Sequence, residues 1–237
     1  SGATGYASQA FNQFLHNREI IAGRIMAQYH GATYPSSGFM EGSSLAGQPV
    51  SLETSAVSLN SADVLIPAFL SAYTQRSVGK IGLSAFPSLS SILPNWNVSY
   101  TGLSKTELLK KYFRNVRINH AYRGIYNVDS YSSYLGWVGL TDGSNLGFIQ
   151  DPSDPSTLTP VASMPFDIPF VRLEDSFAPL LGVEVTFMSG LGINTDYRKT
   201  RRLNLNLSAY QLVESNEDQI TVGMSYKAEN FAKLIGL

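Results

Sequence analysis

Residues 181–226 read LGVEVTFMSGLGINTDYRKTRRLNLNLSAYQLVESNEDQITVGMSY, and their periodicity decides the fold. Leu181, Val183, Val185, Phe187, Leu191, Ile193 and Tyr197 fall on one parity. Gly182, Glu184, Thr186, Gly190, Gly192, Asn194 and Asp196 fall on the other. A period of two marks a strand with one apolar face. The pattern predicts a strand over 181–198 and a tight turn around Lys199 and Thr200. A second strand is expected over 201–213, with Leu203, Leu205 and Leu207 on its apolar face. The polar run 214–218 reads as the next turn, and a strand over 219–229 carries Ile220, Val222, Met224 and Tyr226.

Such an apolar face meets either a protein core, as in a sandwich, or lipid, as in a transmembrane barrel. Three features favour lipid. The first strand is long against the usual ~5–6 residues. The opposite face is rich in Asn, Thr, Ser and Gly, as a wet lumen wall would be. Tyr197 and Tyr226 lie near strand ends, where aromatic girdles form. The lipid-facing set is therefore expected to be Leu181, Val183, Val185, Phe187, Leu191, Ile193, Leu203, Leu205, Leu207, Ile220, Val222 and Met224.

Composition, with low charge and many Tyr, suits a membrane β-barrel and also a secreted β protein. Of 237 residues, 43% are hydrophobic, which excludes a disordered chain. Only 15% are charged, against ~25% in soluble domains. The formal net charge of −1 supplies no field that would recruit nucleic acid. With no cysteine there is no disulfide, thiolate nucleophile or cysteine metal site. No run of ~20 apolar residues is present, and a barrel strand needs only ~10. Both ends read as cut, so the chain is expected to be a section of a longer one.

Upstream, Ser8 is placed to cap a helix over 9–28, stopped by Gly31. Phe11, Phe14, Leu15, Ile21, Ile25 and Tyr29 form its apolar side. Residues 31–60 read as loop, with an extended piece at 50–59. A short helix then runs to about Tyr73, with Pro67 in its first turn, and 80–93 reads as loop. The first 93 residues thus form a helical and loop insert, and 94–237 supply antiparallel barrel strands.

Trp96 to Tyr100 alternates and predicts a strand over 96–103. Ser104 and Glu107 have capping-box spacing, with Leu103 and Leu108 at staple positions, so a helix is expected over 105–113. Its Lys105, Lys110, Lys111 and Arg114 suit either a solvated helix or a contact with lipid headgroups or a partner. A strand over 116–129 sets Val116, Ile118, His120, Tyr122 and Tyr126 against Arg117, Asn119, Arg123 and Asn127. Tyr131, Tyr134 and Trp137 follow, and with Tyr122, Tyr126, Tyr197 and Tyr226 they are the expected interface aromatics. Residues 138–170 read as a long loop.

No catalytic signature occurs. His16, His30 and His120 have no metal-ligand spacing, and there is neither a nucleophile elbow nor a phosphate loop. Asp142, Asp151 and Asp154 do not have calcium-loop spacing. No cofactor is called for.

The segments LPNWNVSYTGLSK (93–105) and VRINHAYRGIY (116–126) resemble the SprA (Sov) family. FAPLLGV (177–183), RKTRRLNL (198–205) and FLHNR (14–18) add to the likeness, in the family's order. SprA-like proteins are outer-membrane translocons of the type IX secretion system of Bacteroidota, linked to gliding motility. The resemblance implies a very large single-chain β-barrel in the outer membrane that passes folded, secreted cargo proteins. It also implies a PorV-like outer-membrane barrel and a periplasmic plug protein as partners, besides the lipid bilayer. It implies no enzymatic residues. Alternatives are another outer-membrane transport barrel, such as a TonB-dependent receptor, and a secreted β-rich binding module.

Overall fold

A computed structural model describes residues 9–51, 57–86, 94–142 and 144–227. The Ser8 cap, half of the 50–59 segment, the end of the 80–93 loop, Gly143 and the last residues of the 219–229 strand lie outside them.

The protein is mainly β. Two helices, α1 (Gln9–Gln28) and α2 (Ala62–Tyr73), precede the strands. The strands are β1 (Trp96–Tyr100), β2 (Phe113–Ser133), β3 (Val138–Gly139), β4 (Gly147–Gln150), β5 (Pro160–Ala162), β6 (Phe166–Phe187), β7 (Leu191–Asn206) and β8 (Gln211–Tyr226). An open five-stranded sheet has the order β1-β2-β6-β7-β8, and β3-β4-β5 form a small antiparallel sheet. Among the described residues, compact packing groups those within 1–92, 128–171 and 205–211 as one unit, and those within 93–127, 172–204 and 212–237 as the other. The units interleave in sequence rather than dividing at residue 93, because the long strands run through both ranges.

In the first unit α1 buries Phe14, Ile21, Ala22 and Ile25. Asn17 is buried with them, and its Nδ2 donates to Ser71 Oγ of α2 at 3.1 Å. Ser71 Oγ in turn donates to the Arg76 carbonyl at 2.8 Å, so neither polar group is stranded. Arg24 donates to the carbonyls of Val78 (2.6 Å) and Ile81 (2.9 Å). α2 is buried from Val64 through Tyr73. Pro67 falls inside α2 rather than in its first turn, where its ring removes the N–H that would reach the Asp63 carbonyl. The small sheet is tied in by Phe148, which is fully buried under the rings of Tyr29 (5.3 Å) and Tyr34 (5.1 Å). Tyr29 Oη also donates to the Gly147 carbonyl at 2.8 Å. Residues 138–170 are therefore not one loop: they hold β3, β4, β5 and the start of β6. The Gly, Asp and Pro clusters that suggested loop are the turns between short strands.

In the second unit the turns fall elsewhere than the polarity suggested. The expected strand over 181–198 is two strands, β6 and β7, joined at 188–190. Gly190 has φ +88°, a left-handed conformation cheap only for glycine, and its N–H donates to the Phe187 carbonyl at 3.1 Å. Lys199 and Thr200 lie within β7, and 214–218 lies within β8. These polar runs are paired across the sheet instead of turning: Lys199 meets Asp218 at 3.9 Å and Ser176 meets Thr200 at 3.3 Å. A further turn, at 207–210 in the first unit, has Asn206 Oδ1 accepting from the Ala209 N–H at 2.9 Å and Tyr210 at φ +53°.

The helix expected over 105–113 is also corrected. A single 3-10 turn at Gly102–Lys105 is followed by hydrogen-bonded turns. Ser104 Oγ donates to the Thr101 carbonyl at 3.1 Å, Glu107 pairs with Lys110 at 2.5 Å, and Leu108 is exposed, so neither capping box nor staple forms. The cause is strand register. Tyr100 pairs with Ile118 and β2 already begins at Phe113, so the link is short and its hydrogen bonds close as turns. β1 correspondingly stops at Tyr100 instead of 103.

Candidate membrane wall and lumen face

Alternation along paired strands sorts the second unit's side chains onto two faces. In β1 and β2, Trp96, Val98 and Tyr100 sit opposite Tyr122, His120 and Ile118. The Trp96 and Tyr122 rings stack at 4.5 Å, and Tyr122 meets Phe177 of β6 at 4.9 Å. His120 Nδ1 lies 2.7 Å from the Leu180 carbonyl, with its ring 5.8 Å from Phe177. Tyr122 Oη donates to Asp175 Oδ1 at 2.8 Å, and Arg201 of β7 donates to Asp175 Oδ2 at 2.5 Å. Tyr197 reaches Asp218 of β8 at 3.4 Å. Odd positions of β6 and β7 and even positions of β8 thus share this face. It gathers Leu181, Val183, Val185, Phe187, Leu191, Ile193, Ile220, Val222 and Met224, although the turns expected between them were misplaced.

The opposite face is charged. Arg117 pairs with Glu184 (3.3 Å), and Arg202 binds both Glu174 (3.2 Å) and Glu217 (3.1 Å). Arg172 donates to Asn204 at 3.1 Å. Exposed pairs like these are each worth about 0–1 kcal/mol, so they do not hold the sheet together. They leave a hydrated surface whose charges are locally compensated.

On β6 to β8 the ion-paired residues of the apolar face lie toward one side of it. Asp175 and Arg201 pair between β6 and β7, and Lys199 and Asp218 between β7 and β8. On β6 the positions of this face from Phe177 to Phe187 hold no charge. That stretch rises about 33 Å, or about 25 Å with a strand tilt of ~40°, which matches the apolar band of a transmembrane barrel. Aromatic rings border it at both limits. Trp96, Tyr122, Phe177 and Tyr197 lie beside these ion pairs, and Phe113 packs on Phe187 at 4.9 Å near Tyr226 at the other limit.

Outside that band the expected sites fare differently. Met224 is 72% exposed whereas Leu203, Leu205 and Leu207 are buried, Leu203 completely. These three are covered by protein, as are Val171 and Leu173 of β6, so they leave the lipid-facing set. Tyr126 is partly buried. Tyr131 packs on Phe86 (5.4 Å) and Phe166 (5.2 Å), and Trp137 Nε1 donates to the Ser163 carbonyl at 2.8 Å. Tyr134 lines a cavity of the first unit. These three make contacts within that unit, while Tyr131 stays 56% exposed and Tyr134 38%. Sequence reasoning missed Trp96, Val98, Tyr100 and Phe177 as members of the belt. The alternation of 96–100 was a usable signal, but Phe177 was hidden by Pro179, which reads as a strand breaker.

The first unit's cavity, about 430 Å³, is lined by Asp63, Tyr134, Asp151, Asp167 and Tyr210 among others. Among the described residues no three side chains are arranged to hold a metal ion. Asp63 Oδ2 accepts from the Met164 N–H at 3.0 Å. Burial pushes its carboxyl up from 3.8 to about 6, against the lowering effect of that hydrogen bond. A raised carboxyl pKa means that the folded state binds the proton more tightly. Stability is therefore highest below the unfolded value near 3.8 and falls as pH rises to about 6. Asp63→Asn keeps an acceptor for Met164 and removes the charge. Thermal melts from pH 4 to 7.5 are expected to show the variant more stable by about 1–2 kcal/mol at pH 7 and equal to the parent at pH 4.

No helix among the described residues is long and apolar enough to cross a membrane, which does not bear on crossing by strands. No protein-family model matches the chain, and no curated protein matches it.

Proposed function

We propose that this chain forms part of the wall of a large outer-membrane β-barrel, a protein translocon of the SprA type serving type IX secretion and gliding motility. One observation carries the reading. The sheet presents an apolar, aromatic-bordered belt on one face and compensated charges on the other, and β1 is exposed throughout and β8 at all but Leu212 and Gly223. A sheet of a soluble domain buries one face and blunts its edges. Here the apolar residues at the β8 edge, Ile220, Val222, Met224 and Tyr226, face outward. Further strands of a longer chain would pair with both edges and close the wall.

The mechanism is passive. The belt meets lipid, and the charged face lines water through which folded cargo moves. Ion pairs such as Arg117–Glu184 satisfy each other and leave no strong single-sign field to trap cargo. The family likeness adds a PorV-like barrel, a periplasmic plug and secreted cargo as partners. No residue is assigned a chemical step.

Expressing residues 1–237 alone tests this. The isolated chain is expected to aggregate in buffer and to become monodisperse only in detergent, as open edges and the belt demand. A cooperatively folding monomer in detergent-free buffer, seen by light scattering and thermal melting, overturns the proposal.

A further inference from the structure

We infer that the link 101–112 is an anchor for an anionic, phosphate-bearing lipid surface, seated in the headgroup layer at one limit of the belt. The inference rests on the barrel reading of the same sheet. Between 101 and 114 four cations, Lys105, Lys110, Lys111 and Arg114, face a single carboxylate, Glu107. The whole chain has a net charge of −1, so this concentration is local. Glu107 is engaged by Lys110 at 2.5 Å, and all four cations are exposed.

The same link exposes apolar groups that a solvated turn has no reason to display. Leu108 is 81% exposed and Tyr112 66%. Exposed Met188 stands beside them, because its N–H donates to the Tyr112 carbonyl at 3.0 Å. The link and the 188–190 turn therefore share one end of the sheet. That is the end at which Phe113 and Phe187 close the belt. Cations next to exposed Leu, Tyr and Met, continuous with a lipid-facing surface, suit the boundary where acyl chains give way to phosphates. A protein groove would have to satisfy both chemistries at a place already bordered by lipid.

The test uses the whole protein that carries this chain, reconstituted in vesicles. Leu108→Cys, Val222→Cys and Thr221→Cys are labelled with an environment-sensitive dye, and the unsubstituted protein gives the background. This chain has no thiol of its own. Quenching is read with brominated acyl chains in phosphatidylglycerol and in phosphatidylcholine vesicles. The dye at 108 is expected to be quenched in the anionic vesicles, less deeply than at 222 and far more than at 221, with weaker quenching in the zwitterionic ones. Lys105→Gln, Lys110→Gln and Lys111→Gln should each lower that preference, on the order of fivefold per cation. Quenching at 108 no greater than at 221, or equal in both vesicles, overturns the inference while quenching at 222 leaves the barrel reading standing. Failure at 222 as well sinks both.

Discussion

Val185→Arg in the whole protein is expected to abolish assembly in the outer membrane, whereas Thr186→Arg at the next position assembles. The two residues are neighbours on β6 and point to opposite faces. Val185 belongs to the uncharged stretch between Phe177 and Phe187, in line with Val183 and Leu181. An arginine there costs about 2–4 kcal/mol if the face meets lipid near the bilayer midplane. Thr186 shares its face with Glu184, whose carboxylate already pairs with Arg117, so a further cation meets water and acidic neighbours at about 0–1 kcal/mol. Heat-modifiable migration of the extracted protein and surface appearance of secreted cargo measure the outcome. A buried protein core at Val185 would also reject arginine. The discriminating control is Met224→Arg: 72% exposed, it costs almost nothing in a soluble protein and about as much as Val185→Arg in a barrel. Equal tolerance at 224 and 186 sinks the lipid assignment.

Much of the two-faced sheet is legible in residue parity, because parity survives a misplaced turn. Leu181 to Phe187 and Ile220 to Met224 reach one face although the turns between them were put at 199–200 and 214–218. Those turns were misread because polarity was taken as a sign of turning. In a sheet with ion pairs on both faces, Lys199 and Glu217 are ordinary strand residues with cross-strand partners. The real turns rest on backbone conformation at Gly190 and Tyr210, and glycines are too frequent in this stretch to single out one. Parity also says which side a residue faces but not what covers it. Leu203 and Met224 have the same pattern and opposite exposure, since coverage depends on chain distant in sequence. For the same reason parity did not show that Trp137 donates to the Ser163 carbonyl or that Tyr131 packs on Phe166.

Phe148→Ala is expected to cost the first unit about 3–5 kcal/mol, the range for truncating a buried phenylalanine. Its ring is fully buried between Tyr29, which follows α1, and Tyr34, and it sits on β4 between β3 and β5. The residue therefore joins the helix pair to a sheet that composition alone reads as loop. Truncation removes both ring contacts and leaves a cavity at the point where Tyr29 Oη donates to the adjacent Gly147 carbonyl. Since that hydrogen bond depends on Tyr29 staying in place, the loss spreads to α1. Hydrogen exchange is the direct readout: protection in α1 and in β3 to β5 should fall together. β8 amides should keep their rates, because that strand's packing lies in the other unit. If 138–170 were a loop with an incidental aromatic, Phe148→Ala would change exchange locally and leave α1 protected. Tyr29→Phe separates the contributions, since it keeps the ring packing on Phe148 and deletes only the hydroxyl, for an expected loss of about 1 kcal/mol.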